Sequence, residues 1–448
     1  MPLLSLAGAA ALAAPRRTLA THRVHRRIDW CLIVLAGSLL LQVVPLPRLV
    51  VALISPRSGA VQEALSFARF GNAPGWLTLS IDRDSTLESL ATFILAVVTF
   101  WVARAVFTRR GTRRFCQVLA VIGGTAALVA IVQRAVLPGM VLGLLRPEVP
   151  SASPFGAFVN RNHFGGWLIM IASPVAGYLI AHAHVHPQYR RGWGAALREA
   201  LNTGSLLTSL AALIAVGTIF LTLSRSALAG MAAGAAGGWW LVRSRLRLGR
   251  QGAPLLFAAG AIFILALGFF FVDAERWAGR INSSFDQTAG SGGRLTIWRE
   301  TLPVIRDFPL TGTGAGTYSD AMTVYQQSRI WVGSMGKWTH FNSAHSHYLQ
   351  LAAEGGLLLT LPAIVAVWSL VVAGRRALAA DPTQIFWVRA GAAAGLLGLA
   401  VQSVWEVPLV MPANAVMAAV LAGLVVHEPH DRGAADGRSR YAATSGTN

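Results

Sequence analysis

SLLTSLAALIAVGTIFLTLSRSALAGMAAGAAGGWWLV, residues 205–242, is apolar or small almost throughout, and a single charge, Arg225, interrupts it between Ser224 and Ser226. A helix of about 20 apolar residues crosses a hydrocarbon core of roughly 30 Å. The stretch therefore divides into two spans, 205–223 and 226–242, joined at Ser224-Arg225-Ser226. In lipid each backbone amide and carbonyl needs a partner within its own segment, so both spans are expected to be helical. An arginine at the bilayer centre costs about 2.5–3.5 kcal/mol on insertion scales, a cost that shrinks at a hairpin apex. Arg225 reads either as a turn arginine snorkelling to the interface or as a fixed cation facing an extracytoplasmic cavity, with the flanking serines ending the two helices.

Similar windows occur near 30–51, 88–107, 115–137, 163–183, 253–272, 348–374, 385–404 and 408–427. With the first two they predict an all-α polytopic membrane protein of about 10 (10–12) transmembrane helices. Composition agrees: 54% of residues are hydrophobic and 13% charged, where a soluble domain carries about 25% charged residues. The formal charge of +19 is no nucleic-acid footprint, because arginines cluster at the N-terminus, at 109–114, 190–198, 243–250 and 375–376, and in the tail, as the positive-inside rule demands. That arrangement places residues 1–29 and the Gly/Ser/Arg-rich tail 428–448, expected to be disordered, in the cytoplasm. Between them lie spans one to seven over 30–272, a large partly helical loop over 273–347 on the opposite side, and spans eight to ten over 348–427. Met1–Ala14 lacks the basic start of a signal peptide. Cys31 and Cys116 fall in or beside spans, which predicts neither a disulfide nor a metal set.

The polar residues gather on one side. At the mouth of the fourth span stand Asn160, Arg161, Asn162 and His163; donors at a helix N-terminus suit an anion, while either asparagine could simply cap the helix. In the loop, Gly292-Gly293-Arg294 through Trp298 precedes Pro309-Leu-Thr-Gly312-Thr-Gly314-Ala-Gly316. The glycines before Arg294 let backbone approach a ligand and a guanidinium grips phosphate through paired hydrogen bonds, but the Lys-Ser/Thr ending of a nucleotide loop is missing. Leu295 to Ile305 has helical spacing. So does the segment holding Trp277, Arg280 and Ile281, where Arg280 fits an ordinary amphipathic-helix charge. The loop closes with His340, His345 and His347, and Glu354 follows. At about 100° per residue His347 and Glu354 share a helix face, whereas His345 and Glu354 point nearly opposite ways. The spacing does not match His-Glu-x-x-His, so no metal site is expected. An imidazole with an ordinary pKa near 6.5 suits removal of a hydroxyl proton.

Taken in order, Phe158-Val-Asn160-Arg161-Asn162-His163-Phe, Ser224-Arg225-Ser226, Gly293-Arg294 through Trp298, Pro309-Leu-x-Gly312-x-Gly314 and Ala344-His345-Ser346-x-x-Leu349-Gln350 with Glu354-Gly355 resemble the O-antigen ligase and polysaccharide polymerase superfamily of bacterial membrane glycosyltransferases. The resemblance covers roughly residues 155–360. It implies cofactor-free, metal-independent, inverting transfer of a glycan from an undecaprenyl-diphosphate carrier to an acceptor hydroxyl on lipid A-core, a growing polysaccharide or a protein, at the periplasmic face of the inner membrane, among membrane lipids. It further implies His345 as general base or acceptor-orienting group, and Arg225 and Arg294, with Arg161 as a third, as the diphosphate grip. Asn160, Asn162, Arg280, His347 and Glu354 are candidate supporting residues. Leu359 stands where ligases usually carry a small residue or tyrosine, and His347 where relatives are commonly acidic or amide-bearing, so ligase, polymerase and protein O-oligosaccharyltransferase all remain open. A lipid-linked glycan flippase is the alternative from another class; it would be expected to show repeated topology and mid-span polar residues. The topology is checked by fusing a reporter enzyme near residue 310: activity is expected only in the extracytoplasmic compartment, and cytoplasmic activity would invert the layout.

Overall fold

The computed structural model of the protein describes residues 23–65, 75–109, 111–147, 152–185, 203–245, 291–328, 330–332 and 337–428. The expected span at 253–272, Arg280 and the tail after Glu428 lie outside these residues. The described chain is helical: α1 (Arg23–Val43), α2 (Arg48–Ile54), α3 (Ser58–Leu65), α4 (Arg83–Arg109), α5 (Thr112–Val136), α6 (Arg161–Val185), α7 (Thr203–Leu221), α8 (Arg225–Val242), α9 (Ser291–Asp307), α10 (Tyr318–Tyr325), α11 (His347–Ala380), α12 (Ile385–Gln402) and α13 (Pro412–Val426). Two short antiparallel pairs complete it, β1 (Leu46–Pro47) with β2 (Trp76–Leu77), and β3 (Ile330–Val332) with β4 (Lys337–Thr339).

Five of the described helices are long and apolar enough to cross a membrane, over Arg83–Phe107, Thr112–Val136, Arg161–His182, His347–Ala380 and Ile385–Gln402; Leu206–Leu221 and Pro412–Val426 are shorter apolar helices. Two windows need correction. The expected span 30–51 stops at Val43, because Pro45 and Pro47 lack amide donors and disfavour helical backbone in the residues before them. The chain turns there into β1 and α2. The window 408–427 breaks at Met411, leaving a short 3₁₀ turn (Pro408–Val410) ahead of α13.

α12 packs against α6 and α8, α13 against α4, α11 against α1, and α5 against α7. Where α8 and α12 meet, a Cβ on Gly230 would stand 2.5 Å from the Gly398 carbonyl oxygen and one on Gly398 2.7 Å from that of Gly230, so small residues set the helix spacing. α9 and α10 form a separate cap, cored by Ile297, Val304, Phe308, Tyr318, Met322 and Phe341. It is fastened to the bundle at the Gly312–Gly316 run. Thr313 and Gly314 donate to the carbonyls of Ala353 and Glu354. Gln42, at the end of α1 and fully buried, donates to Thr311 and Glu354 and accepts from Ala315. Gly312 (φ +66°) and Gly356 (φ +51°, inside a kink of α11) adopt left-handed backbone, and a Cβ on either would overlap the other strand of this junction. These two glycines thus serve a close backbone-to-backbone approach.

At the other end of α1, Asp29 takes a bidentate pair from Arg104 of α4 (3.0 and 3.1 Å) and a bond from Trp101 (2.9 Å), with both charged side chains about 5% exposed. Removing one partner of a buried pair strands the other charge at about 3–5 kcal/mol, while replacing both by apolar groups is often neutral. Arg104→Leu is therefore expected to lower the melting temperature of the detergent-solubilised protein strongly. Adding Asp29→Leu should recover most of the loss, and no recovery would show that the pair is not the cause.

Candidate active site

The segment before α6 is held by ring contacts, Phe155 stacked on Phe164 and Phe158 tilted against Phe164 and Trp167. Asn160 caps the helix, accepting a bond from the amide of Asn162 at 2.9 Å. The capping reading of Asn160 is therefore the observed one. Half-buried Arg161 opens α6, its amide donating to the Ser153 carbonyl. The next two residues turn inward: Asn162 Nδ2 donates to Glu406 Oε1 at 2.6 Å, and His163 Nε2 stands 3.9 Å from Glu406 Oε2.

Glu406 is the centre of this assembly. It lies between α12 and α13, 1% exposed, and draws four polar side chains from three other parts of the chain. Arg294, near the start of α9, donates Nη2 to Oε1 at 3.0 Å. His345 places Nδ1 3.8 Å from Oε2, and the amide of His347 donates to the carbonyls of Ser403 and Glu406. Oε2 and His345 Nδ1 make no hydrogen bond, since 3.8 Å is ion-pair range. Behind this layer Gln402 donates to the Asn162 carbonyl and Asn414 to those of His163 and Pro408.

His345 is not helical. Its φ of +47° makes it one of three non-glycine residues with positive φ among those described, a conformation that persists where surrounding contacts over-determine it. Those contacts are visible. Trp298 Nε1 donates to the Ala344 carbonyl at 3.0 Å, and the Ala344 amide donates to Gln350. Gln350 donates to Glu354, which also accepts the Tyr318 amide. Glu354 thus does not pair with His345; it anchors the relay that fixes the residue before it. His347 contributes its backbone, its Nδ1 being without a hydrogen bond, and His340 bonds Ser319 on α10.

Arg225 is exposed at the start of α8, whose cap is Ser224, accepting from the Ala227 amide. A sharp turn at Leu223 (φ +52°) separates α7 from α8, so Ser224 serves only the second helix of the hairpin. Arg225 lies within electrostatic reach of Arg294. The structure thus brings Arg225, Arg294, His345 and Asn162 into one neighbourhood and adds His163 and Glu406, which residue spacing did not single out as site residues. One signal was legible: Glu406 is the sole acid between Asp381 and Glu428, in a loop on the side predicted for His345.

Burial pushes the Glu406 pKa up, but attraction from His345, Arg294 and His163 outweighs it and holds the carboxyl below its usual value. Because the folded pKa is the lower one, the stabilisation is complete above the unfolded carboxylate value of about 4.3 and is lost as pH falls through the folded value. Glu406→Gln is expected to flatten the acid limb of a melting-temperature profile taken between pH 3 and 6; an unchanged limb would exclude Glu406 as its source.

No curated protein matches the chain. Residues 210–364, about a third of the chain, match the family model described as O-antigen ligase. The matched segment holds Arg225, Arg294 and His345 in the order read from the sequence.

Proposed function

We propose that the protein transfers a glycan from an undecaprenyl-diphosphate carrier to an acceptor hydroxyl at the periplasmic face of the bacterial inner membrane. The observation that supports this most is the gathering of the Arg294 guanidinium and the His345 imidazole on the buried carboxylate of Glu406, with Arg225 within reach of the Arg294 charge. Two guanidiniums near one another repel, and an anion set between them removes that repulsion. Glu406 engages Arg294 through Nη2 alone, and Arg225 stands exposed at the amide-rich start of α8, where a phosphate is favoured.

In the proposed step the acceptor oxygen bonds to the anomeric carbon from the face opposite the diphosphate. The carbon–oxygen bond to the diphosphate breaks, its electron pair leaves with undecaprenyl diphosphate, and the acceptor proton passes to His345. Charge grows on the leaving oxygens, and preorganised guanidiniums oppose that growth; loss of one such donor costs about 2.7–4 kcal/mol in comparable oxyanion sites. With the arginines taking this charge, the step runs without a metal ion.

His345→Ala in a host lacking the gene is expected to abolish the polymer while the lipid-linked donor accumulates on the outer leaflet. Donor trapped on the inner leaflet would instead indicate a transport role and overturn the reading. Arg225→Lys keeps the charge and removes the planar fork; transfer is expected to fall by about 10²-fold, near the lower end of the cost above. Full activity of that variant would exclude a two-pronged phosphate grip at Arg225.

A further inference from the structure

The match to the family model ends at residue 364, yet the carboxylate around which the site assembles is Glu406. The polar side chains packed on it come from three other parts of the chain: Asn162 and His163 from α6, Arg294 from α9, and His345 from the entry to α11; the His347 amide holds the Glu406 main-chain carbonyl. We propose that Glu406 is a positioning residue of the transferase site, setting the ring of His345 through Nδ1 and the fork of Arg294 through Nη2 so that one group orients both base and diphosphate clamp. The proposal rests on His345 being the base.

The two oxygens of Glu406 divide the work. Oε1 is saturated by Asn162 at 2.6 Å and Arg294 at 3.0 Å, which fixes the carboxylate plane. Oε2 is left facing the imidazoles of His345 and His163 at 3.8 and 3.9 Å, buried and without a hydrogen bond. A buried carboxylate oxygen with no donor is unfavourable, and a small rotation of His345 would supply one. Catalytic hydrogen bonds are commonly long before substrate binds. A proton on Nδ1 turned toward Oε2 leaves Nε2 as the lone-pair nitrogen for the acceptor hydroxyl, and the carboxylate then stabilises the imidazolium formed when His345 takes the proton. The same carboxylate holds Nη2 of Arg294 and leaves the rest of the guanidinium for the diphosphate.

The test uses full-length protein in membranes of a host deleted for the gene, with that host's own lipid-linked glycan as donor. Transfer rates are followed from pH 5 to 9 for wild type, Glu406→Gln, Glu406→Asp and His345→Ala. The Gln variant is expected to lose about 10²-fold or more in rate and to change the limb of the profile that reports the base, with the Asp variant recovering part of the rate. Independently, nitrogen-15 spectra of the His345 ring, assigned by its loss in His345→Ala, should show the Nδ1–H tautomer in wild type and Asp variant and a mixture in the Gln variant. Wild-type rate and tautomer in Glu406→Gln, with His345→Ala inactive, would overturn the role of Glu406 and leave the base reading standing. Activity lost in both Glu406 variants with the tautomer unchanged would reduce Glu406 to a structural residue and equally overturn the proposal. A fully active His345→Ala would remove the base reading and this inference together.

Discussion

The site depends on one physical constraint: a carboxylate that is 1% exposed must be surrounded by donors. Glu406 meets it at Oε1 with Asn162 and Arg294, and turns Oε2 toward the imidazoles of His345 and His163 without a hydrogen bond. Two of the recruited groups, a guanidinium and an imidazole, are those the proposed transfer uses. Structural necessity and proposed chemistry therefore converge on the same atoms, because the field that keeps Glu406 ionised is also the field that aligns Arg294 and His345.

A second constraint sets where His345 stands. Its left-handed backbone would relax if its neighbours were free, but Trp298 and Gln350 grip Ala344 from opposite sides, and Gln350 is braced by Glu354. Glu354 in turn lies at the junction where the Gly312–Gly316 run docks on the kinked α11 and on Gln42 of α1. The cap formed by α9 and α10 is thereby fixed to the membrane bundle through a route that ends one residue from the proposed base. Residues far from the chemistry thus hold it in register.

Much of the fold was legible. Apolar windows located the helices because lipid demands internally bonded backbone, and helical spacing found α9 within the polar loop. The windows misjudged ends where apolar composition and backbone capacity part company: Pro45 and Pro47 are apolar yet cannot continue α1, and Met411 interrupts the last window ahead of Pro412. For the site, Arg225, Arg294, His345 and Asn162 were legible as polar residues gathered on one side of an apolar chain. Helical phase put Glu354 on the face of His347 and away from His345, and its Oε1 accepts from Gln350 and the Tyr318 amide. Glu406 and His163 escaped because one is a lone acid between two spans and the other sat inside a motif read for its arginine and asparagines.

The sequence by itself determined the helical architecture with apolar, membrane-length helices and the likeness of residues 210–364 to the O-antigen ligase model, because hydropathy and motif order are properties of short segments. The tertiary structure decided which of those polar residues meet. Pairing across 112 residues between Arg294 and Glu406, or 244 between Asn162 and Glu406, is set by the packing of α6, α9, α11 and α12, and no local spacing records it. It also decided that the glycine run serves packing and that one carboxylate, not the cluster of histidines, organises the site.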